Sequence, residues 1–211
     1  AYTVFPNKGI RIRPYFISRI EDREGNVLEE ARIEAEEVIS PQTAYLVTSL
    51  LEGVIRRGTA APLAAGLGMP LGGKTGTTND FSDAWFIGFS PFLCAGVWVG
   101  NESRVSLGNR QSGAVAALPA WVAFINRLID DETKKAEAEG REPFFGEFEV
   151  PPNINFVEID RKTGLMATPN CLWPIREAFL AGTEPLRYCS NQDHMLILDY
   201  YSTEKATEEH D

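Results

Sequence analysis

Cysteine and positive charge are scarce in this 211-residue chain. Its three cysteines, Cys94, Cys171 and Cys189, are too few for a disulfide framework. They also lack the paired spacing of a zinc site, so neither a metal nor a cofactor is expected. Lys and Arg total 20 against 30 Asp and Glu, a net charge of −10, which excludes a general nucleic-acid binder. No run reaches the roughly 18 apolar residues that span a bilayer. The best stretch, Phe86 to Gly100, is broken by Ser90 and Pro91. A secretion signal is missing, and the chain opens on Ala1-Tyr2-Thr3 rather than Met. The expectation is a piece of a longer protein, with any membrane anchor outside it.

What is present reads as one α/β domain of the α+β type, helices on an antiparallel sheet. Ile10 to Arg13 alternates with period two, and the turn Glu24-Gly25-Asn26 precedes Val27-Leu28, which predicts a short hairpin. Ser40-Pro41 starts a helix as N-cap and first helical residue. Val47, Leu50, Leu51, Val54 and Ile55 give it an apolar face, and Gly58 is expected to end it in the left-handed conformation. Residues 60–68 read as a loop. Three strand-like segments follow, 73–78, 84–89 and 93–99, too closely spaced for helical crossovers and therefore antiparallel. Trp85, Trp98 and Trp121 lie in apolar periodic runs and are read as core. A second helix is expected over 114–129. The domain would span 1–130, an acidic linker 131–152, and a strand-and-turn extension 153–211 with a mobile polar tail from Ser202.

Chemistry concentrates at Gly72-Gly73-Lys74-Thr75-Gly76-Thr77-Thr78-Asn79-Asp80. From Gly68 onward the residues satisfy G-x-x-x-x-G-K-[ST], the P-loop pattern that would bind ATP and magnesium. Its context disagrees. No β-branched strand precedes Gly68, no helix follows Thr75, and Pro70 removes one N–H from the cradle. The rival reading takes Lys74-Thr75-Gly76 as the K-T-G edge strand of serine acyl-transferases acting on D-Ala-D-Ala peptides. A strand edge pairs with an extended peptide, and Gly76 permits close approach. The Thr75 and Thr77 hydroxyls fall on one face and can grip a terminal carboxylate. Lys74 attracts that carboxylate, and the Thr77 N–H can supply half of an oxyanion hole.

Three letters alone are weak, and a second K-T-G, Lys162-Thr163-Gly164, reads as a plain turn. The surroundings add more. Gly73 to Gly88, Ala95-Gly96-Val97-Trp98-Val99-Gly100, and the helix from Pro41-Gln42-Thr43 to Gly58-Thr59-Ala60 together resemble the third-motif region of class A penicillin-binding proteins. Residues 1–130 carry the likeness densely. It thins to Ile159-Asp160, Gly182-Thr183-Glu184-Pro185 and Cys189, which are similar to the family's C-terminal extension. The departure is as informative: S-x-N does not occur, and the sole S-x-x-K, Ser202 to Lys205, lies in the acidic tail. The resemblance implies a peptidoglycan transpeptidase cut after its second motif, silent by itself and dependent on its own upstream half. Lys74 and Thr77 would then be catalytic, and Thr75, Gly76, Thr77 and Thr78 would contact substrate. Its partners would be stem peptides and β-lactams, at the extracytoplasmic face of the membrane. Such a location suits a Cys171–Cys189 bridge, which the residues themselves leave open. A non-catalytic cell-envelope interaction module is the remaining alternative.

Cys94, without a nearby base, reads as a buried structural thiol. His194 and His210 read as exposed or locally bonded. Asp80 and Asp83 read as turn residue and strand anchor.

Overall fold

The first helix begins where the sequence says it should. In the computed structural model, which describes residues 1–194, α1 spans Pro41–Arg57 with Ser40 as N-cap. The Ser40 Oγ accepts from the Thr43 N–H at 3.2 Å. Ser40→Ala should therefore cost about 1 kcal/mol of unfolding free energy, read by chemical denaturation. The buried face of α1 meets the expectation in part: Ile55 lies in the core with Val54 packed against it. Ala44, Thr48 and Ile55 are buried, whereas Leu50 is 65% exposed. Gly58 differs too, with φ −104° and ψ −151° rather than left-handed values. A Cβ there would lie 2.7 Å from Val54 Cα, so glycine serves close approach instead.

Four short strands precede α1. β1 (Ile10–Ile12) pairs antiparallel with β4 (Ala35–Glu37), and inside that pair the predicted hairpin forms from β2 (Arg19–Glu21) and β3 (Val27–Glu30). After α1 the expected loop contains one helical turn, α2 (Ala61–Ala64). Then come β5 (Gly72–Thr77), β6 (Asp83–Phe89) and β7 (Cys94–Gly100), antiparallel in the order β5-β6-β7.

α3 (Leu118–Glu139) follows a π-helical turn at Gly113–Ala117 and carries Pro119 in its first turn. It runs to Glu139, into the segment read as an acidic linker, and ends on Gly140 at φ 67° and ψ 31°. There the left-handed glycine lets its N–H reach the Ala136 and Glu137 carbonyls. By length and composition alone, Gly113–Glu139 could cross a membrane. Its apolar residues have a nearer use: Leu118, Trp121 and Ile125 are buried in the core with Phe86, Leu71, Met69 and Ile55. The Phe86 and Trp121 rings stand 4.9 Å apart. Of the three tryptophans read as core, only Trp121 is. Trp85 and Trp98 are 43% and 46% exposed, with ring centroids 6.2 Å apart. They sit on the face of β6 and β7 opposite Phe86, because strand neighbours alternate faces.

The chain divides into two compact units, residues 1–150 and 151 onward. In the second, β8 (Ile154–Asp160) pairs antiparallel with β9 (Pro174–Leu180). The second K-T-G is indeed a turn: Asp160 Oδ1 accepts from the N–H groups of Lys162 (3.0 Å) and Thr163 (2.9 Å). Cys171 and Cys189 come together with their sulfurs at bonding distance and their Cα atoms 7.2 Å apart. His194 follows the second of its two expected readings: it is mostly buried and paired locally with Asp160 at 3.3 Å. His210, the S-x-x-K at 202–205 and the polar tail lie outside the described residues.

Candidate active site

Among the described residues β5 is the outermost strand of its sheet and pairs on one side only, with Lys74 opposite Ile87, Thr75 opposite Phe86, Gly76 opposite Trp85 and Thr77 opposite Ala84. The Thr78 N–H donates to the Asp83 carbonyl at 3.1 Å. Amide directions alternate along a strand, so the Thr75 and Thr77 N–H groups face the free edge.

Lys74 folds back along that edge. Its Nζ donates to the Thr75 carbonyl at 2.9 Å and to Thr75 Oγ1 at 3.3 Å. Ammonium and hydroxyl thus converge, although the two residues begin on opposite faces. Thr59, just beyond α1, brings a second hydroxyl to within 3.4 Å of Thr75 Oγ1. Lys74 and Thr77 are exposed, while Thr75 and Gly76 are half-buried. The cluster is therefore anchored to the core yet open to an anionic ligand.

Thr77 Oγ1 accepts from the Gly113 N–H at 2.9 Å, which fixes the hydroxyl and leaves its own proton free to donate. Thr78, which the sequence placed among the substrate-contacting residues, has a structural role in the turn. Its Oγ1 accepts from the Asp83 N–H at 2.9 Å and lies 3.2 Å from Ser82 Oγ, closing the β5–β6 turn. Asp80 belongs to the same turn, where hydrogen bonds from Thr78 and Ser82 hold its carboxyl below the usual range. Its carboxylate thus serves the turn as a hydrogen-bond acceptor. Asp83 anchors β7, accepting from Trp98 Nε1 at 2.8 Å.

The P-loop alternative fails on this geometry. Lys74 and Thr75 lie inside a strand, and a turn and second strand follow instead of a helix. Cys94 is only half-buried, and desolvation pushes its thiol up, away from nucleophilic use. The residues that sequence reasoning missed are Thr59 and Gly113. Thr59 lay within a stretch already noted for its resemblance, but Gly113 had no local signal.

Residues 1–112 match the family model for the penicillin-binding protein transpeptidase domain. The chain belongs to the penicillin-binding protein transpeptidase family. Residues 150–194 match the model for the C-terminal domain of penicillin-binding protein 1A. Among relatives, penicillin-binding protein 1A of Aquifex aeolicus is 38% identical over 201 residues, covering 94% of this chain and 26% of that protein. Its counterpart in Rickettsia bellii is 34% identical over 233 residues, covering 97% and 28%. The crystal structure of penicillin-binding protein 1A from Haemophilus influenzae superimposes with a TM-score of 0.75 at 30% identity, covering 90% of this chain and 32% of that one. The chain thus spans about a quarter of the length of the curated relatives it matches. These matches place it among the class A penicillin-binding proteins, and the α+β architecture is the one expected.

Proposed function

We propose that this chain is the substrate-seating half of a peptidoglycan DD-transpeptidase. The observation that carries the reading is the free edge of β5, where the Lys74 ammonium meets the Thr75 hydroxyl, Gly113 fixes the Thr77 hydroxyl, and two amides face outward. A stem peptide ending in D-Ala-D-Ala would add to that edge as an extended strand. Its terminal carboxylate would take the two hydroxyls and the ammonium as charge-assisted partners. Gly76 lets the peptide approach, and the Thr77 N–H supplies one oxyanion donor. A serine from the upstream half of the domain would attack the penultimate carbonyl. The terminal D-Ala leaves with the proton, an acyl-enzyme remains, and an amine of a neighbouring stem peptide resolves it. A β-lactam would acylate the same serine. The parent protein would work at the extracytoplasmic face of the membrane, held there by an anchor outside this chain.

The test is labelling of the full-length protein with fluorescent penicillin. A hydrogen bond to a charged group contributes about 1.5–3 kcal/mol, so Lys74→Ala should slow acylation by about tenfold or more. Labelling at the parent rate would remove Lys74 from the site. The 211-residue chain alone should take no label, and covalent labelling of it would show that a nucleophile lies within it.

A further inference from the structure

The small second unit gathers four metal-ligating side chains from distant points of the sequence. One ligand atom from each of Asp160, Cys171, Cys189 and His194 lies within 4.8 Å of all the others. Asp160 is fully buried at the end of β8. Its Oδ1 is committed to the 160–164 turn, whereas its Oδ2 has no hydrogen-bond partner among the described residues. His194 Nε2, buried and 3.3 Å from that oxygen, is also without a hydrogen bond among the described residues. These two atoms lie at ion-pair distance from each other yet make no hydrogen bond among the described residues, and a cation between them would serve both.

A disulfide does not answer that need. It leaves both polar atoms orphaned, and the Cα separation of 7.2 Å exceeds the span over which a bridge ordinarily forms. Thiolates facing a cation answer it. Tetrahedral zinc with ligands at 2.0–2.3 Å sets ligand atoms about 3.3–3.8 Å apart, so the two sulfurs, here at bonding distance, would separate to that spacing; Cys, His and Asp are its usual donors. The surroundings also suit negative sulfur. The Thr168 N–H donates to Cys171 Sγ at 3.2 Å, and Thr168 Oγ1 lies 3.4 Å and 3.8 Å from the two sulfurs. Such outer contacts orient metal ligands and tune their charge. The backbone holds each ligand in place. The Cys171 and Cys189 N–H groups donate to the Thr168 and Met166 carbonyls, and His194 packs edge-on against Trp173.

We propose that Asp160, Cys171, Cys189 and His194 form a tetrahedral site for a zinc-class divalent cation, with both cysteines as thiolates. Binding releases two thiol protons to solvent. A bridged pair would first require two electrons from a dithiol. Sequence spacing concealed the site because its ligands are spread over a strand end, two turns and the segment after Cys189, with no paired C-x-x-C.

The test uses the full-length protein, isolated anaerobically without chelator and assayed for zinc by mass spectrometry. Reduced, metal-stripped protein is then titrated with cobalt. One zinc should co-purify per site, and cobalt should give thiolate charge-transfer and tetrahedral ligand-field bands that zinc abolishes. Asp160→Asn keeps the Oδ1 acceptor of the turn, and His194→Asn leaves the sulfurs untouched. Each should weaken cobalt binding at least about tenfold. Cys171→Ser with Cys189→Ser should remove the charge-transfer band, while Cys94→Ser leaves it. Zinc-free protein carrying a Cys171–Cys189 bridge, reduced protein that takes up no cobalt, or a spectrum indifferent to residues 160 and 194 would each overturn the proposal.

Discussion

Trp121→Ala should lower the unfolding free energy by about 3–5 kcal/mol, the usual range for removing a fully buried large aromatic side chain. The indole is wholly inside the protein and stacks against Phe86, joining α3 to the sheet. It cannot be replaced by collapse of the strand onto the helix, because Gly88 already brings the backbone close. A Cβ at Gly88 would lie 2.3 Å from Trp121 Cζ2. The ring nitrogen is buried without a hydrogen-bond partner among the described residues, so part of its contribution is already offset. Trp121→Phe should therefore cost much less than Trp121→Ala. Gly88→Ala, about 1–3 kcal/mol by overpacking, should become nearly neutral beside Trp121→Ala. Denaturant unfolding followed by circular dichroism reads all four corners of that cycle. A Trp121→Ala cost below about 1 kcal/mol, within the range of surface substitutions, would mean that α3 does not carry the sheet.

Gly113→Ala should disturb both stability and the β5 edge. An added Cβ would stand 2.2 Å from the Trp85 carbonyl oxygen and 2.6 Å from that of Gly76. Both contacts are backbone, so no side-chain rotation relieves them. Either the π-helical turn lifts away, breaking the 2.9 Å bond from the Gly113 N–H to Thr77 Oγ1, or β5 and β6 shift beneath it. The expected cost is about 1–3 kcal/mol of stability. In the full-length protein, penicillin labelling should also slow by about tenfold, equivalent to about 1.4 kcal/mol of transition-state stabilisation. Labelling at the parent rate in a folded variant would show that the Thr77 hydroxyl needs no support from this turn.

The sheet was legible because its cues are local. Glycines and turn residues bound three short apolar runs, and the K-T-G register put Thr75 and Thr77 together. The start of α1 was legible for the same reason, since Ser40 and Pro41 act within one turn. Tertiary facts escaped. α1 buries Ala44 and Thr48 rather than Leu50, and helical period alone cannot say which of two neighbouring stripes meets the sheet. Trp85 and Trp98 look like Trp121 in sequence yet fall on the uncovered face. In the candidate-site cluster, Lys74, Thr75 and Thr77 could be named from their motif. Gly113 could not, because its importance comes from a contact with residues 36 and 37 positions earlier and with Trp85. The four ligand-type residues of the second unit share that difficulty.

A strand paired on one side is an open invitation to any other chain with exposed backbone. β5 answers with a short length, three glycines and a central lysine, each of which discourages self-association through a sheet edge. The cation that would recruit an anionic terminus is thus also a guard against indiscriminate stacking. Charge-neutral substitutions at residue 74 should accordingly be watched for loss of solubility as well as loss of chemistry.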